Sequence, residues 1–230
     1  MAKKKEAGEE RISTVEEALS KTELFFEKNK NIITYIVIGI VVLIGGGMLY
    51  HTYVLEPKER EAHSQIYGAE NYFAMDSFNL AINGDGNYRG FLDIVDDYGR
   101  TKTGNLAKYY LGICYLKTNN YEDAITYLKK FKSKDKIVSS MALGAIGDAY
   151  LELDDKEQAY AYYIKAANKN DNDFVTPLFL MKAGWTAELM GKYDKAIESY
   201  VKIKKEHHRS NEARTIDKYI ARAKGLGKIE

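Results

Sequence analysis

Apolar residues run along this chain in two different ways. From Ile32 to Leu49, "IITYIVIGIVVLIGGGML", they form one unbroken stretch, and no charged residue occurs from Asn31 to Leu55. A membrane span needs about 20 consecutive, mostly apolar residues, and a buried helix of a soluble protein seldom lacks a polar face over such a length. A cleaved secretory signal fits less well. Its apolar core is about 7–15 residues, and here Gly45, Gly46 and Gly47 are followed by Met48, Leu49 and Tyr50 instead of a small-x-small cleavage site. The pattern predicts a retained transmembrane helix over 31–55. Gly39, Gly45, Gly46 and Gly47 would let a second membrane helix pack closely against it, although glycine is enriched in membrane helices generally. Pro57 removes a helical hydrogen bond just after the stretch and predicts a kink or hinge there.

Ahead of the span, Thr14 and Glu17 have capping-box spacing, and Val15, Leu19, Thr22, Phe25 and Phe26 fall roughly on one helical face. They predict a short amphipathic helix, either resting on the membrane or a neighbouring protein or simply leading into the span. Residues 1–10 are charged and read as disordered. Orientation follows Lys and Arg: Lys3, Lys4, Lys5, Arg11, Lys21, Lys28 and Lys30 precede the span, against Lys58 and Arg60 directly after it. The amino terminus is therefore expected in the cytoplasm and the large domain in a bacterial periplasm.

Beyond Pro57 the apolar residues return at helical spacing between short polar turns, and they repeat. Aligned on Gly112, Gly147 and Gly184, the chain has Tyr115, Tyr150 and Ala187 three residues on. Nine on stand Tyr121, Lys156 and Tyr193; twelve on, Ala124, Ala159 and Ala196; sixteen on, Leu128, Tyr163 and Tyr200. Polar "KTNN", "ELDD" and "LMGK" split each unit into two segments. Small residues let antiparallel helices cross closely, with tyrosine or leucine expected to fill the gap to the next unit. One such pair cannot bury its faces alone, so units stack into a solenoid. Before the repeats, Lys58 to Ile82 reads as one long helix, "NGDGN" as a turn and "YRGFLDIVDDYG" as a return helix. After them, Ala213, Ile216, Tyr219, Ile220 and Ala223 line one side of a capping helix. The expected organisation is all-α: a cytoplasmic segment 1–30, a transmembrane helix 31–55, a degenerate helix pair 56–103, three repeats over 104–209 and a cap over 210–230.

From about Gly104 to His208 the chain resembles tetratricopeptide repeats, through Gly112–Tyr115 with Tyr121–Ala124–Leu128 and through "GKYDKAIESY" at Gly191–Tyr200. It departs from them in lacking the early Trp and the closing Pro, and in having Ala187 for the third unit's Tyr. The whole layout is similar to the YfgM-like family, ancillary subunits of the Sec translocon. That resemblance implies SecYEG-type translocon subunits and a membrane-anchored periplasmic chaperone of the prolyl-isomerase-like type as partners. A scaffold for another envelope machine, such as cell-wall synthesis or an outer-membrane secretion system, uses the same fold. The resemblance also places the first helix of each unit on the concave face. One stripe of those helices runs through Leu106, Tyr109, Ile113 and Leu116, then Met141, Gly144, Asp148 and Leu151, then Leu178, Met181, Trp185 and Glu188. Tyr109, Ile113, Met141, Asp148, Met181, Trp185 and Glu188 are the candidate protein-binding residues. The opposing possibility is that the chain's own amino-terminal helices fill this groove. The stripe holds almost no Lys or Arg, so it is no basic clamp for acidic tails.

Composition narrows the chemistry. Lys and Arg total 34 against 33 Asp and Glu, a balance without the electrostatic footprint of nucleic-acid binding. Nineteen tyrosines and two prolines suit helices packed ring on ring. Cys114 is the only cysteine, which leaves no internal disulfide and no cysteine metal site; it reads as a small core residue. His207 and His208 are adjacent and do not face one site; they read as a solvated helix end. "NGDGN" offers Asp85 alone, against the several acids of a calcium loop. No nucleophile elbow, phosphate loop or metalloprotease spacing occurs, so no catalytic residues, cofactor, metal or small-molecule substrate are expected.

Overall fold

The computed structural model describes residues 27–229. The expectations placed on residues 1–26, including the helix begun by Thr14 and Glu17, lie outside them. The chain divides into two units at Glu56/Pro57. The first holds helix α1 (27–50) and a π-helical turn, His51–Leu55. This helical stretch is long and apolar enough to cross a membrane: its most apolar window has a mean hydropathy of 2.5, with no part of it buried. A methyl group added at Gly39, Gly45, Gly46 or Gly47 would meet nothing within 4 Å. Helical winding continues past Pro57 into α2 (Glu56–Ala74). The Glu56 N–H donates to the His51 carbonyl. That wider turn precedes a proline whose ring and missing N–H disrupt ordinary α winding.

The second unit begins with α2 and continues through α3 (Phe78–Asn83), α4 (Phe91–Tyr98), α5 (Lys102–Lys117), α6 (Tyr121–Lys130), α7 (Lys136–Glu152), α8 (Lys156–Lys169), α9 (Thr176–Leu189), α10 (Tyr193–Glu206), a 3-10 turn (Glu212–Thr215) and α11 (Ile216–Gly227). Successive helices pack on one another from α3 to α11. No strand occurs among the described residues; Gly84 and Arg89 form an isolated bridge.

One device builds each repeat. A methyl at Gly112, Gly147 or Gly184 would sit 2.5 Å from Leu128, 2.7 Å from the Tyr163 ring or 2.1 Å from the Tyr200 ring. The glycine thus admits the bulky residue sixteen positions on, from the same unit. The same residues also reach the element that follows: Leu128 shares a core cluster with Ala142 and Ile146 of α7, Lys182 of α9 lies over the Tyr163 ring, and Tyr219 of α11 lies 5.8 Å from the Tyr200 ring. Stacked tyrosines also join the two helices of a unit: Tyr115 lies 5.5 Å from Tyr127, and Tyr150 lies 5.4 Å from Tyr162. In the third unit the equivalent positions are Ala187 and Ser199, and that ring pair is lost.

The turns repeat as well. Asn119, Asp154 and Gly191 have φ of 62°, 60° and 67°, a left-handed conformation that Gly, Asn and Asp adopt most readily. In each turn the following N–H reaches back to Tyr115, Tyr150 or Ala187 at 2.8–2.9 Å, a Schellman closure. The same closure ends α2, where Asp76 has φ 54° and Ser77 N–H donates to Tyr72 O. The expected single helix over 58–82 is therefore broken at 75–77. Counted from these left-handed residues, Tyr72 takes the place of Tyr115, and Ala81, fully buried, takes that of Ala124. The turn between α2 and α3 thus follows the repeat pattern, and α3 stops early at Gly84, φ 77°.

Candidate protein-binding groove

The first helices of the units, α5, α7 and α9, share a surface. Between them lies a cavity of about 430 Å³, lined by Leu116, Tyr121, Asp148, Leu151, Glu152 and Lys182 among others. Asp148 holds its middle, with Lys182 Nζ at 2.7 and 2.9 Å and the Tyr163 hydroxyl donating at 2.6 Å. Burial, reinforced by the adjacent Asp148 carboxylate, pushes the Tyr163 phenol well above the usual tyrosine range, so this hydroxyl remains a donor. Lys182 also lies over the Tyr163 ring. Asp148 and Lys182 retain 34% and 30% side-chain exposure, which leaves their free edges on the cavity wall.

The predicted residues divide. Met141 and Trp185 are exposed, at 38% and 42%. Tyr109 and Ile113 are half-buried, with the Tyr109 ring 5.3 Å from Phe131. Met181 is a correction: it is 5% exposed and belongs to the core. Glu188 is another: its side chain is 11% exposed, accepts from the Tyr200 hydroxyl at 2.8 Å and pairs with Arg222 of α11 at 2.8 Å. The stripe on α9 is instead Leu178, Lys182, Trp185 and Leu189. These spacings of four, three and four keep to one face at 100° per residue, whereas Met181 and Glu188 fall toward its edge. Lys182 was recoverable from that periodicity. Arg222 was not, because it comes from outside the repeats.

The capping helix closes one end of this surface. Tyr219 lies 6.0 Å from Trp185 and 5.8 Å from Tyr200. At the other end α2 is tied in by Glu59, whose carboxylate accepts from Lys102 N–H at 2.6 Å, Thr103 N–H at 3.2 Å and Thr103 Oγ1 at 2.9 Å. These are the otherwise orphaned donors at the start of α5. Burial raises the Glu59 pKa, but the hydrogen bonds from Thr103 and Lys102 outweigh it and hold the carboxyl below its ordinary value.

The lone Cys114 is fully buried, and burial pushes its thiol up to about 12; it packs the core between α4 and α5. His207 is corrected. It is 3% exposed, with Nδ1 2.8 Å from Asp173 Oδ1 and Nε2 3.3 Å from Asp171 Oδ1. It pins the α8–α9 loop to the end of α10 and is no solvated helix end.

Tetratricopeptide repeat models match residues 106–135, 142–168 and 179–210. No curated protein matches the chain. The chain thus contains tetratricopeptide repeats, which mediate protein–protein contacts, and the observed stacking of helix pairs agrees with them.

Proposed function

We propose that this protein is a single-pass inner-membrane adaptor, with its amino terminus in the cytoplasm and its repeats in the periplasm. Its groove receives a polypeptide partner, and its place of work is the Sec translocon, where it brings a membrane-anchored, prolyl-isomerase-like chaperone to emerging chains. The observation that carries this reading is the open groove centred on Asp148 and Lys182, with Trp185 exposed beside it, on a chain that also has a helix of membrane-spanning length. A half-exposed Trp among Met and Leu suits a short apolar stretch of polypeptide, while the ion pair fixes its polar backbone or side chains. Lys and Arg ahead of the span support the orientation. The layout of short leader, span and repeats supports the translocon. Crosslinking in intact cells followed by mild-detergent pull-down tests the assignment. Recovery of channel subunits and the chaperone, weakened by Trp185→Ala combined with Met141→Ala at unchanged circular dichroism, is the expected result. Recovery of cell-wall enzymes alone would move the protein to another envelope assembly.

A further inference from the structure

We infer that the solenoid carries a second binding site on the face opposite the groove: a lysine-rimmed recess between α6, α7 and α8 that takes an acidic segment of a partner polypeptide, anchored by one large apolar side chain. The recess has a volume of about 310 Å³. Its residues on α7, Ser139, Ala142, Leu143 and Ile146, lie on the opposite side of that helix from Met141, Asp148 and Leu151, as 100° per residue dictates. It is therefore separate from the proposed groove and goes beyond that reading.

Lys129, Lys132, Lys165 and Lys169 form the rim, and no carboxylate lines it. None of the four is ion-paired among the described residues, whereas Lys156, Lys182, Lys192 and Lys204 elsewhere each have a carboxylate partner. Two of the rim cations are held in place. Lys129 donates to the Tyr150 hydroxyl at 2.8 Å and lies 5.6 Å from the centre of the Tyr162 ring. Lys165 lies 5.1 Å from the same ring. Like charges gathered without counter-charge repel one another, in a chain whose overall charge is only +1. Lys132 on the rim, with Lys130 outside it, adds to the burial that holds the Lys108 amine below the ordinary lysine range, while the hydrogen bond to Tyr150 raises that of Lys129. An anion entering the recess relieves this repulsion.

The floor selects among anions. Leu128, Phe131, Leu143 and Ile146 lie beneath the charged rim, so a free inorganic anion would leave apolar surface wet. Single-stranded nucleic acid binds by stacking bases on open aromatic faces, and the Tyr162 ring is already covered by two ammonium groups. A bilayer surface is flat and touches what protrudes, whereas these groups surround a hollow. At the small end of ligand-pocket volumes, roughly 300 Å³, the recess suits one large side chain flanked by carboxylates.

The test uses the full chain in neutral detergent and a fluorescein-labelled peptide of glutamates around a single phenylalanine, read by anisotropy. Saturable binding is expected, weakened by added salt. Lys129→Gln with Lys165→Gln should weaken it roughly five- to tenfold, the middle of the range for two exposed charge pairs. Glutamine in place of glutamate, or alanine in place of phenylalanine, should weaken the peptide similarly. Lys204→Gln with Lys224→Gln, an equal loss of charge elsewhere, should leave binding unchanged. So should Trp185→Ala, which separates failure here from failure of the groove. Unchanged affinity in the Lys129/Lys165 variant, or equal binding of the glutamine peptide, overturns the proposal. Capture of anionic phospholipid vesicles that depends on these lysines, without peptide binding, also overturns it and assigns the recess to a lipid surface.

Discussion

The second and third repeats use the same parts to different ends. In both, a buried tyrosine sixteen residues after the glycine donates to a carboxylate on the first helix of its own unit: Tyr163 to Asp148, and Tyr200 to Glu188. In both, the next element supplies a cation. Asp148 receives Lys182 from the following repeat and keeps an open edge on the groove; Glu188 receives Arg222 from the cap and is sealed. One constellation thus serves as a site wall in the middle of the solenoid and as a clasp at its end. A solenoid needs such an end, because its last repeat has no successor to cover its apolar face.

The largest effect should come from the glycines that admit those tyrosines. Gly184→Ala places a methyl 2.1 Å from the Tyr200 ring. Overpacking of this kind costs about 1–3 kcal/mol, and thermal unfolding followed by circular dichroism should show it as a clearly lowered Tm. Gly147→Ala meets Tyr163 at 2.7 Å and should cost less; the reverse order would mean that the second unit, not the third, is packed more tightly.

Next are the carboxylates. Glu188→Gln removes the charge from a carboxylate that is 11% exposed, while water reaches Arg222 at 44% exposure, and a loss of about 1 kcal/mol is expected. Asp148→Asn, at a more exposed carboxylate, should cost less stability and instead change partner capture. Equal destabilisation by the two in denaturant titrations would break the distinction between wall and clasp.

The smallest effect concerns the opposite end, where Glu59 fastens α2 to α5. Its folded pKa lies below the reference value of 4.5, so its contribution is present above that pH and is lost as pH falls through the folded value. The Tm difference between the wild type and Glu59→Gln should be full at neutral pH and shrink in acid below about 4.5. A difference that grows on acidification would show that the carboxylate does not cap α5.

The sequence made the repeats legible because packing enforces them: a glycine, an alanine and a bulky residue recur wherever two helices cross. Polar "KTNN", "ELDD" and "LMGK" marked the turns, and the left-handed Asn119, Asp154 and Gly191 lie within them. The groove was legible only in part. Trp185 and Met141 follow from helical periodicity, but reading Met181 in place of Lys182 turned the α9 stripe toward the core. Arg222 and Tyr219, which close the third unit, lie on α11, and no spacing within the repeats points to them. His207 looked solvated because Asp171 and Asp173, its neighbours in space, lie far from it in the chain.

The central claim is that the α5–α7–α9 face, and not merely the fold, meets a protein partner. Site-specific photo-crosslinking in cells tests this most directly, with the reactive side chain placed at Leu151, at Trp185 and, on the exposed outer side of α10, at Lys205. Discrete adducts to another envelope protein from positions 151 and 185, with none from 205, are predicted. Adducts from 205 alone, or none from the groove in properly inserted and folded protein, would contradict it.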